Sequence, residues 1–262
     1  MQHHEDTLDA YVRSVKADPN AIAVILVGSV ARGTERPDSD VDVYLVVPDD
    51  VFDSAVAANR VIFDERSDAT YPGGYVDVKL ATVAFLDAAA ERGDDPVRAS
   101  FEDARVAWVR GGYDIAGRVA AIPVLPPMVW ERRAVSFMSQ VWWHGTDFLP
   151  QAIALDNTFL LHHAALHTVG AGGRALLALN RTLFRGPRYL DATLATLDRV
   201  PDGYGDLARE LITQPSRESA DAYVQALENF HSWPVDRKAG VSIFIRDNEL
   251  AWFTGKLPPE LS

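Results

Sequence analysis

The sequence of 262 residues contains no cysteine and only three methionines. Without cysteine the chain can hold neither a disulfide framework nor a thiolate metal site, and its composition fits a reducing compartment. No apolar stretch approaches the roughly 18–20 residues that span a bilayer, and the opening MQHHEDTLDA is too acidic for a secretory signal peptide. These absences predict a soluble, cytoplasmic protein.

Positive charge is also scarce. The 25 lysines and arginines are outnumbered by 37 aspartates and glutamates, which gives a formal net charge of −12. Proteins that follow long nucleic acids normally carry a basic stripe, so this balance argues against such a partner. It is compatible with a cationic substrate, or with a small anion whose charge is neutralised by metal ions.

The pattern of apolar residues changes along the chain. Valine-rich runs bounded by Gly, Pro or Asp predict β-strands, and they lie at residues 21–28, 41–47, 74–82 and 104–110. Alanine-rich segments with helical spacing separate them. After the proline-rich stretch PVLPP the periodicity is helical almost throughout. We therefore expect an α+β domain with a mixed sheet and flanking helices over residues 1–122, followed by an all-α helical bundle over residues 127–262.

Two details of the helical half are predicted separately. The tetrapeptide GAGG at residues 170–173 interrupts a helical pattern, and we expect a kink or a helix end there. The tail VSIFIRDNELAWF alternates in places, which predicts a terminal hairpin over residues 241–254 that turns at Asp247-Asn248.

The stretch SDVDVYLVV places two acidic residues at the start of a strand that otherwise consists of core residues. Because strand side chains alternate, Asp40 and Asp42 point to one face, with Cα atoms about 6.5–7 Å apart. Two close carboxylates repel each other unless a cation lies between them. Oxygen ligands favour Mg²⁺ or Mn²⁺ over zinc. An acidic turn exposed to solvent is the simpler alternative for this stretch taken alone.

The residues before these aspartates favour a phosphate. Gly28 and Ser29 end the first predicted strand and open a helical turn, where backbone N–H groups approach anions closely. The Ser29 hydroxyl adds a donor, and Gly33 permits the return toward the second strand. Phosphates at Gly28-Ser29 and metal ions at the aspartates describe a triphosphate held as its metal complex.

A third carboxylate lies in YVDVKL. Asp77 occupies the middle of a predicted strand, and Lys79 shares its face. Three carboxylates can hold two metal ions about 3.5–4 Å apart, the spacing suited to in-line phosphoryl transfer. Asp77 would then complete one metal's ligands and accept a proton from the acceptor hydroxyl. A surface position on an edge strand is the alternative for Asp77, and Lys79 could simply neutralise it.

Gly-Ser, about ten intervening residues, Ser-Asp-Val-Asp at the head of a strand and a later strand aspartate together resemble the nucleotidyltransferase superfamily typified by DNA polymerase beta, over residues 20–82. The resemblance implies that Gly28 and Ser29 bind the β- and γ-phosphates. It also implies that Asp40, Asp42 and Asp77 are both the catalytic residues and the ligands of two Mg²⁺ ions, or Mn²⁺. Arg32, Ser39 and Lys79 complete the expected nucleotide-binding set in this half.

The segment ALNRTLFRGPRYL is similar to a stretch in the helical halves of two-domain bacterial members of the same superfamily. The similarity supports the expected architecture more than any function. Arg181 and Arg188 in this segment, with Asn180, are predicted either to reach a nucleotide or substrate or to cap helix ends. His163 and His167 have metal-ligand spacing on a helix, but two histidines do not fill a coordination shell, so buried or half-buried bundle histidines are favoured.

The resemblance predicts a metal-dependent enzyme that moves a nucleoside monophosphate from an NTP, most simply ATP, to a hydroxyl group of an acceptor. The acidic composition favours a small cationic acceptor of the aminoglycoside type. Two alternatives stay open: nucleotidylation of a protein or of tRNA, and a nucleotide-binding regulatory protein without catalysis. The sequence identifies neither the acceptor nor the oligomeric state.

Overall fold

The structure is a computed structural model that describes residues 1–259. The chain divides into two compact units, Met1–Val124 and Leu125–Ser262, the second of which is described as far as Pro259. No helix in the described range is both long enough and apolar enough to cross a membrane.

The first unit alternates helices and strands. Its helices are α1 (Gln2–Val15), α2 (Gly28–Arg32), α3 (Asp49–Ala57), α4 (Val83–Arg92), α5 (Asp95–Ser100) and α6 (Ile115–Ala121). Its strands are β1 (Ala23–Leu26), β2 (Val41–Val46), β3 (Ile62–Glu65), β4 (Val76–Ala81) and β5 (Arg105–Val109). Three of these helices begin at a side-chain cap of the expected chemistry, supplied by Thr82, Asp94 and Asp114.

The five strands form one mixed sheet in the order β3-β4-β2-β1-β5. β2 and β4 run parallel, and the other neighbouring pairs are antiparallel. The register of the parallel pair sets Asp42 opposite Asp77. The predicted fold class, a mixed sheet with flanking helices followed by a helical region, is confirmed.

Strand β3 was absent from the prediction. It reads Ile-Phe-Asp-Glu, lies at the edge of the sheet, and has exposed residues alternating with half-buried ones. β3 is only four residues long, and two of its residues are charged. The alternation of apolar and polar residues that predicts a strand is therefore too short to recognise.

Both faces of the sheet are covered. On one face Val41 and Val43 of β2 pack with Leu8, Tyr11 and other residues of α1. On the other face the neighbouring side chains of β1 and β2 pack with Leu86, Phe101 and Ile115. Tyr44 lies on the same face of β2 as Asp42, and it is buried and stacks on Phe101 with ring centroids 4.9 Å apart, so this face is covered beyond its first residues. Asp42 stays half-buried at the end of this covered face.

The second unit is helical. It contains α7 (Pro127–Trp142), α8 (Leu149–Ala154), α9 (Thr158–Leu179), α10 (Leu190–Leu194), α11 (Tyr204–Thr213), α12 (Arg217–Phe230), α13 (Arg237–Phe244) and α14 (Ala251–Thr254). A π-helical turn at Trp143–Phe148 joins α7 to α8, and a second one spans Ile245–Glu249. The core of the unit forms where α7, α9, α11 and α12 pack together.

We expected a kink or a helix end at GAGG, and the helix end was wrong, because α9 continues as one helix through residues 170–173. A Cβ atom at Gly172 would lie 2.1 Å from the Tyr223 hydroxyl and 2.9 Å from a Leu227 methyl carbon. A glycine at this position therefore lets α12 approach the backbone of α9 closely. Tertiary packing here overrides the low helix propensity of glycine.

The hairpin predicted over residues 241–254 was also wrong: this segment continues α13 through the π-helical turn into α14. Gly240 and Phe244, four residues apart, are both buried, so one helical face packs inward. Asn248, the supposed turn residue, donates from Nδ2 to the Phe244 carbonyl at 3.0 Å, which is a helical spacing. Mixed apolar and polar residues in a short segment do not separate a two-residue period from a helical one.

Candidate active site

The short helix α2 begins at Gly28, two residues after the end of β1. The backbone of Gly28 has φ +72°, and a Cβ atom there would lie 2.0 Å from Oδ2 of Asp42. Only glycine allows the backbone to lie directly against this carboxylate while adopting a left-handed conformation. The Val27 N–H, which donates to the Asp42 carbonyl at 3.0 Å, holds the two segments together.

Three carboxylates meet at the start of the parallel strands. One ligand oxygen from each of Asp40, Asp42 and Asp77 lies within 4.8 Å of the others, and all three residues are half-buried. Asp42 and Asp77 come together because they are register partners on β2 and β4. Asp40 precedes β2 by one residue and reaches the same point as Asp42 because strand side chains alternate.

The electrostatics of this cluster favour a cation. Burial and then the charge of Asp40 raise the pKa of Asp42 to about 6. Burial is also the largest cause that raises the pKa of Asp77, with Asp40 and Asp64 adding to it and Lys79 acting against it. Raised values of this kind mean that the ionised carboxylates repel one another and are partly removed from water.

The donor set fits a hard divalent cation. All three candidate ligands are carboxylate oxygens, which Mg²⁺ and Mn²⁺ prefer, and the histidine and cysteine ligands typical of zinc are not part of the cluster. Among the described residues this is the only group of three or more His, Cys, Asp or Glu whose ligand atoms converge in this way.

Four of the predicted nucleotide-binding residues surround the carboxylates. Ser29 lies in the first turn of α2, which within the described chain has no side-chain N-cap. Arg32, at the end of α2, is close enough to lower the pKa of Asp42. Lys79 lies 3.9 Å from an oxygen of Asp77, consistent with charge neutralisation. The hydroxyl of Ser39 accepts from the Arg36 N–H at 2.9 Å, so it also stabilises its own turn.

The loop that leads to Asp40 is fastened at Ser39. Its carbonyl accepts from Nε2 of His4 at 3.1 Å and from the hydroxyl of Tyr71. Burial lowers the pKa of His4, and its buried Nδ1 has no partner among the described residues. A neutral His4 that donates from Nε2 therefore fixes the backbone one residue before a candidate metal ligand.

Sequence reasoning missed two neighbours of the cluster. A hydrogen bond with Asp40 is the largest cause that raises the pKa of Tyr75. Asp64 on β3 lies opposite Asp77 and pairs with Arg66 at 2.7 Å, so a fourth carboxylate is already neutralised. Tyr75, two residues before Asp77, was within reach of the sequence pattern, whereas Asp64 could not be placed while β3 was unrecognised.

The remaining predicted residues belong to the helical unit. Arg181 and Arg188 are exposed, and the Arg188 guanidinium lies 5.6 Å from the centre of the Tyr189 ring. That they bind nucleotide stays a prediction. Asn180 caps α9, because its Nδ2 donates to the carbonyls of Leu176 and Arg199, at 2.8 Å each.

His163 and His167 contact each other and His144 in the helical unit. The ring centroids of His163 and His167 are 4.1 Å apart, and those of His144 and His167 are 4.7 Å apart. Burial, followed by the charges of the other two rings, lowers the pKa of His144 to about 3. His163 and His167 are both half-buried in the helical unit, as the simpler interpretation of these two residues expects.

Comparison with known proteins gave three findings. Residues 8–91 match the family model of the nucleotidyltransferase domain. No match was found among curated protein sequences. A nucleotidyltransferase-like protein from Exiguobacterium sibiricum 255-15 is similar in structure at 12% identity and a TM-score of 0.47, over 93% of this chain and 77% of the other. That structural likeness is too distant to bear on function.

The matched range extends from α1 into α4 and includes all three clustered carboxylates as well as Gly28 and Ser29. The family match and the geometry therefore concern the same residues. The chain carries a nucleotidyltransferase domain over residues 8–91.

Proposed function

We propose that the protein transfers a nucleoside monophosphate from an NTP, with ATP as the first candidate, to a hydroxyl group of an acceptor molecule. The observation that carries this proposal is the convergence of the carboxylates of Asp40, Asp42 and Asp77 within 4.8 Å, inside the range that matches the nucleotidyltransferase domain. The three carboxylates would hold divalent cations, with Mg²⁺ favoured and Mn²⁺ as the alternative.

The triphosphate would bind at the first turn of α2. The first N–H groups of a helix have no partner within the helix, and in α2 no side chain of the described residues caps them. Gly28 brings its backbone against Asp42, so phosphate oxygens bound there would lie beside the carboxylates. The Ser29 hydroxyl, Arg32 and Lys79 add donors and positive charge, and Ser39 is retained as a further candidate.

The chemistry would be an in-line displacement at the α-phosphorus. The acceptor oxygen forms a bond to that phosphorus while the bond to the bridging oxygen of the pyrophosphate breaks. Asp77 would accept the hydroxyl proton. Cations bound at the carboxylates would stabilise negative charge on the phosphate oxygens and the leaving group. The products are the nucleotidylated acceptor and pyrophosphate.

For the acceptor we propose a small cationic molecule of the aminoglycoside type. The net charge of −12 favours association with a cation and opposes tRNA, a polyanion. We also retain a cytoplasmic location, where NTPs are available and a chain without cysteine meets no redox constraint. Incubating the purified protein with α-labelled NTPs, Mg²⁺ and a panel of aminoglycosides would test the acceptor. Label appearing only on protein or tRNA would contradict it.

The activity itself is tested by Asp42→Asn. Removing a ligand that two close carboxylates cannot replace should lower the rate of pyrophosphate release by more than about 100-fold. Asp38→Asn is the matched control, because Asp38 lies in the same loop, is largely exposed and pairs with exposed Arg36 at 3.3 Å. Asp42→Asn retaining the wild-type rate, with a folded far-UV spectrum, would contradict the proposal.

A further inference from the structure

The helical unit contains a cleft of about 400 Å³. This volume suits a small organic molecule, although the cleft lies at the lower end of the usual range for ligand pockets. The side chains that decide its chemistry come from α7, from the end of α9 and from the segments after α10 and α12: Trp130, Glu131, Arg181, Arg199, His231 and Trp233.

Arg181 occupies a backbone conformation that is costly for arginine. It follows the C-terminal cap of α9 with φ +52°, a left-handed position that glycine or asparagine takes with less strain. Its guanidinium makes no hydrogen bond or ion pair within the described range. The side chain therefore lines the cleft as an uncompensated cation.

A second arginine is held at the same cleft by Asn180. The Asn180 amide donates to the Arg199 carbonyl at 2.8 Å, and its Oδ1 accepts from the Arg199 N–H at 3.2 Å. Among the described residues the Arg199 guanidinium donates once, from Nη1 to the Leu179 carbonyl at 3.1 Å, which leaves its other N–H donors for a ligand. Asn180, the C-terminal cap of α9, therefore holds the backbone of Arg199, and Arg181 follows the cap with its side chain at the cleft.

The rest of the cleft is largely apolar. Trp130 is buried, and Trp233 is anchored because its Nε1 donates to the Leu227 carbonyl at 3.0 Å. His231 packs against the Trp233 ring with centroids 4.9 Å apart. Burial and then the charge of Arg199 lower the pKa of His231, so at neutral pH it is an uncharged donor or acceptor.

The charged residues that line the cleft favour a negatively charged ligand. They are two arginines, Arg181 and Arg199, and one exposed glutamate, Glu131. A cationic molecule would meet two guanidinium groups, whereas a carboxylate or phosphate would accept hydrogen bonds from them. Two tryptophans beside these cations add a surface for a flat apolar ring.

We propose that this cleft binds a small aromatic anion, a phosphate or carboxylate on a planar ring, with Arg181 and Arg199 on the anionic group and the tryptophans against the ring. The cleft is lined by residues of the second unit and includes none of the three aspartates, so ligand binding to it can be measured without the transfer activity. Arg181 lies outside residues 8–91, the range of the nucleotidyltransferase match, so that match assigns it no ligand.

Calorimetric titration of the full chain with phenyl phosphate, in EDTA and without nucleotide, tests the site. We expect one saturable site with a dissociation constant below about 1 mM. Benzoate should bind at the same site because its carboxylate can also accept hydrogen bonds from the arginines, and inorganic phosphate should bind more weakly because it lacks the ring. Phenethylamine, with a ring of the same size and the opposite charge, should show no saturation. Equal binding of phenethylamine, or none of phenyl phosphate, would overturn the proposal.

Arg181→Gln should weaken phenyl phosphate binding by about tenfold or more. Arg217→Gln is the matched control, an exposed arginine of the same unit outside the cleft, and should leave binding unchanged. Arg181→Gly separates structure from binding, because it relieves the left-handed strain and should raise Tm by about 2 °C while binding is lost. Wild-type affinity in Arg181→Gly, or an equal loss in Arg217→Gln, would refute the site.

Discussion

At the scale of single residues, Asp42 connects stability with metal binding. Its carboxylate is half-buried beside Asp40 and Asp77, and its pKa is raised to about 6. Above that pH the Asp42 carboxylate is ionised. Its negative charge is less favourable in the folded protein, where it is partly removed from water, than in the unfolded chain. A bound divalent cation would remove this penalty. The same side chain therefore weakens the fold without metal and would strengthen it with metal.

This conflict predicts a pH dependence of stability. The pKa of Asp42 is about 6 when folded and about 3.9 when unfolded, so the folded state binds the proton more tightly between these values. Stability from this group is thus gained as pH falls through about 6 and lost as pH rises through it. In EDTA, Asp42→Asn should exceed the wild type in Tm at pH 7.5, and the gap should narrow at pH 5.

Calorimetry of both proteins at the two pH values measures the effect. Asp38→Asn serves as the control for the substitution itself, because it makes the same change at an exposed aspartate of the same loop. Adding Mg²⁺ at pH 7.5 should raise the Tm of the wild type and not that of Asp42→Asn. A gap independent of pH would show that the Asp42 environment is misassigned.

Gly28 offers a second test at this scale. Gly28→Ala would place a Cβ atom 2.0 Å from Asp42 Oδ2, so the carboxylate must move away from the cluster. Misplacing a reacting group by about 1 Å can cost about 100-fold in rate, and we expect a loss of that order in pyrophosphate release.

Gly33→Ala controls for backbone strain. Gly33 has a similar φ of +67°, but a Cβ atom added there would meet no neighbouring group within 4 Å. Both variants should lose roughly 1–3 kcal/mol of stability from the left-handed backbone. Only Gly28→Ala should lose activity, and equal loss in both would attribute the effect to strain alone.

At the scale of elements, the parallel pairing of β2 with β4 assembles the site. Each strand carries one acidic residue, and the register sets Asp42 against Asp77. Valine-rich runs made both strands predictable, and the alternation of faces made Asp40 and Asp42 neighbours. The distance of Asp40 and Asp42 from Asp77 depends on the pairing of β2 with β4, and a local sequence pattern does not predict which strands pair. Asp64 was missed for a different reason: the short, charged sequence of β3 lacks the apolar alternation that predicts a strand.

Helix α9 gives the element-level prediction. Gly172→Ala would force a Cβ atom to 2.1 Å from the Tyr223 hydroxyl, which lies in the packed core, and should destabilise the protein by about 1–3 kcal/mol. Gly170→Ala, two residues earlier with no atom within 4 Å, should instead stabilise it by about 0.5–1 kcal/mol. Urea denaturation of the two variants checks this difference in sign, and two changes of the same sign would contradict the packing role.

At the scale of the whole molecule, charge decides which partners are accessible. With 25 basic against 37 acidic residues, a polyanion is repelled at long range. The two proposed sites for small anions, at the aspartates through metal ions and beside the paired arginines of the helical unit, would act locally against this repulsion. The net charge of the whole protein therefore does not determine the charge of the ligand that a local site prefers.

The total charge predicts weak binding to nucleic acid. A 30-base-pair DNA duplex in 150 mM salt should bind with a dissociation constant weaker than about 100 μM, the weak end of non-specific DNA binding. Fluorescence anisotropy with a labelled duplex measures it, and a basic DNA-binding protein provides the positive control. Salt-sensitive binding at low micromolar concentration would contradict this expectation.

The sequence by itself determined the fold class, most of the strands and helices and the candidate carboxylates, because side-chain periodicity and acidic residues inside apolar runs are local signals. Tertiary structure alone decided that three aspartates from distant segments converge, that GAGG stays helical against Tyr223 and that the tail forms helices instead of a hairpin. The physical reason is that these outcomes depend on contacts between residues far apart in the chain, whose free energy exceeds local propensity.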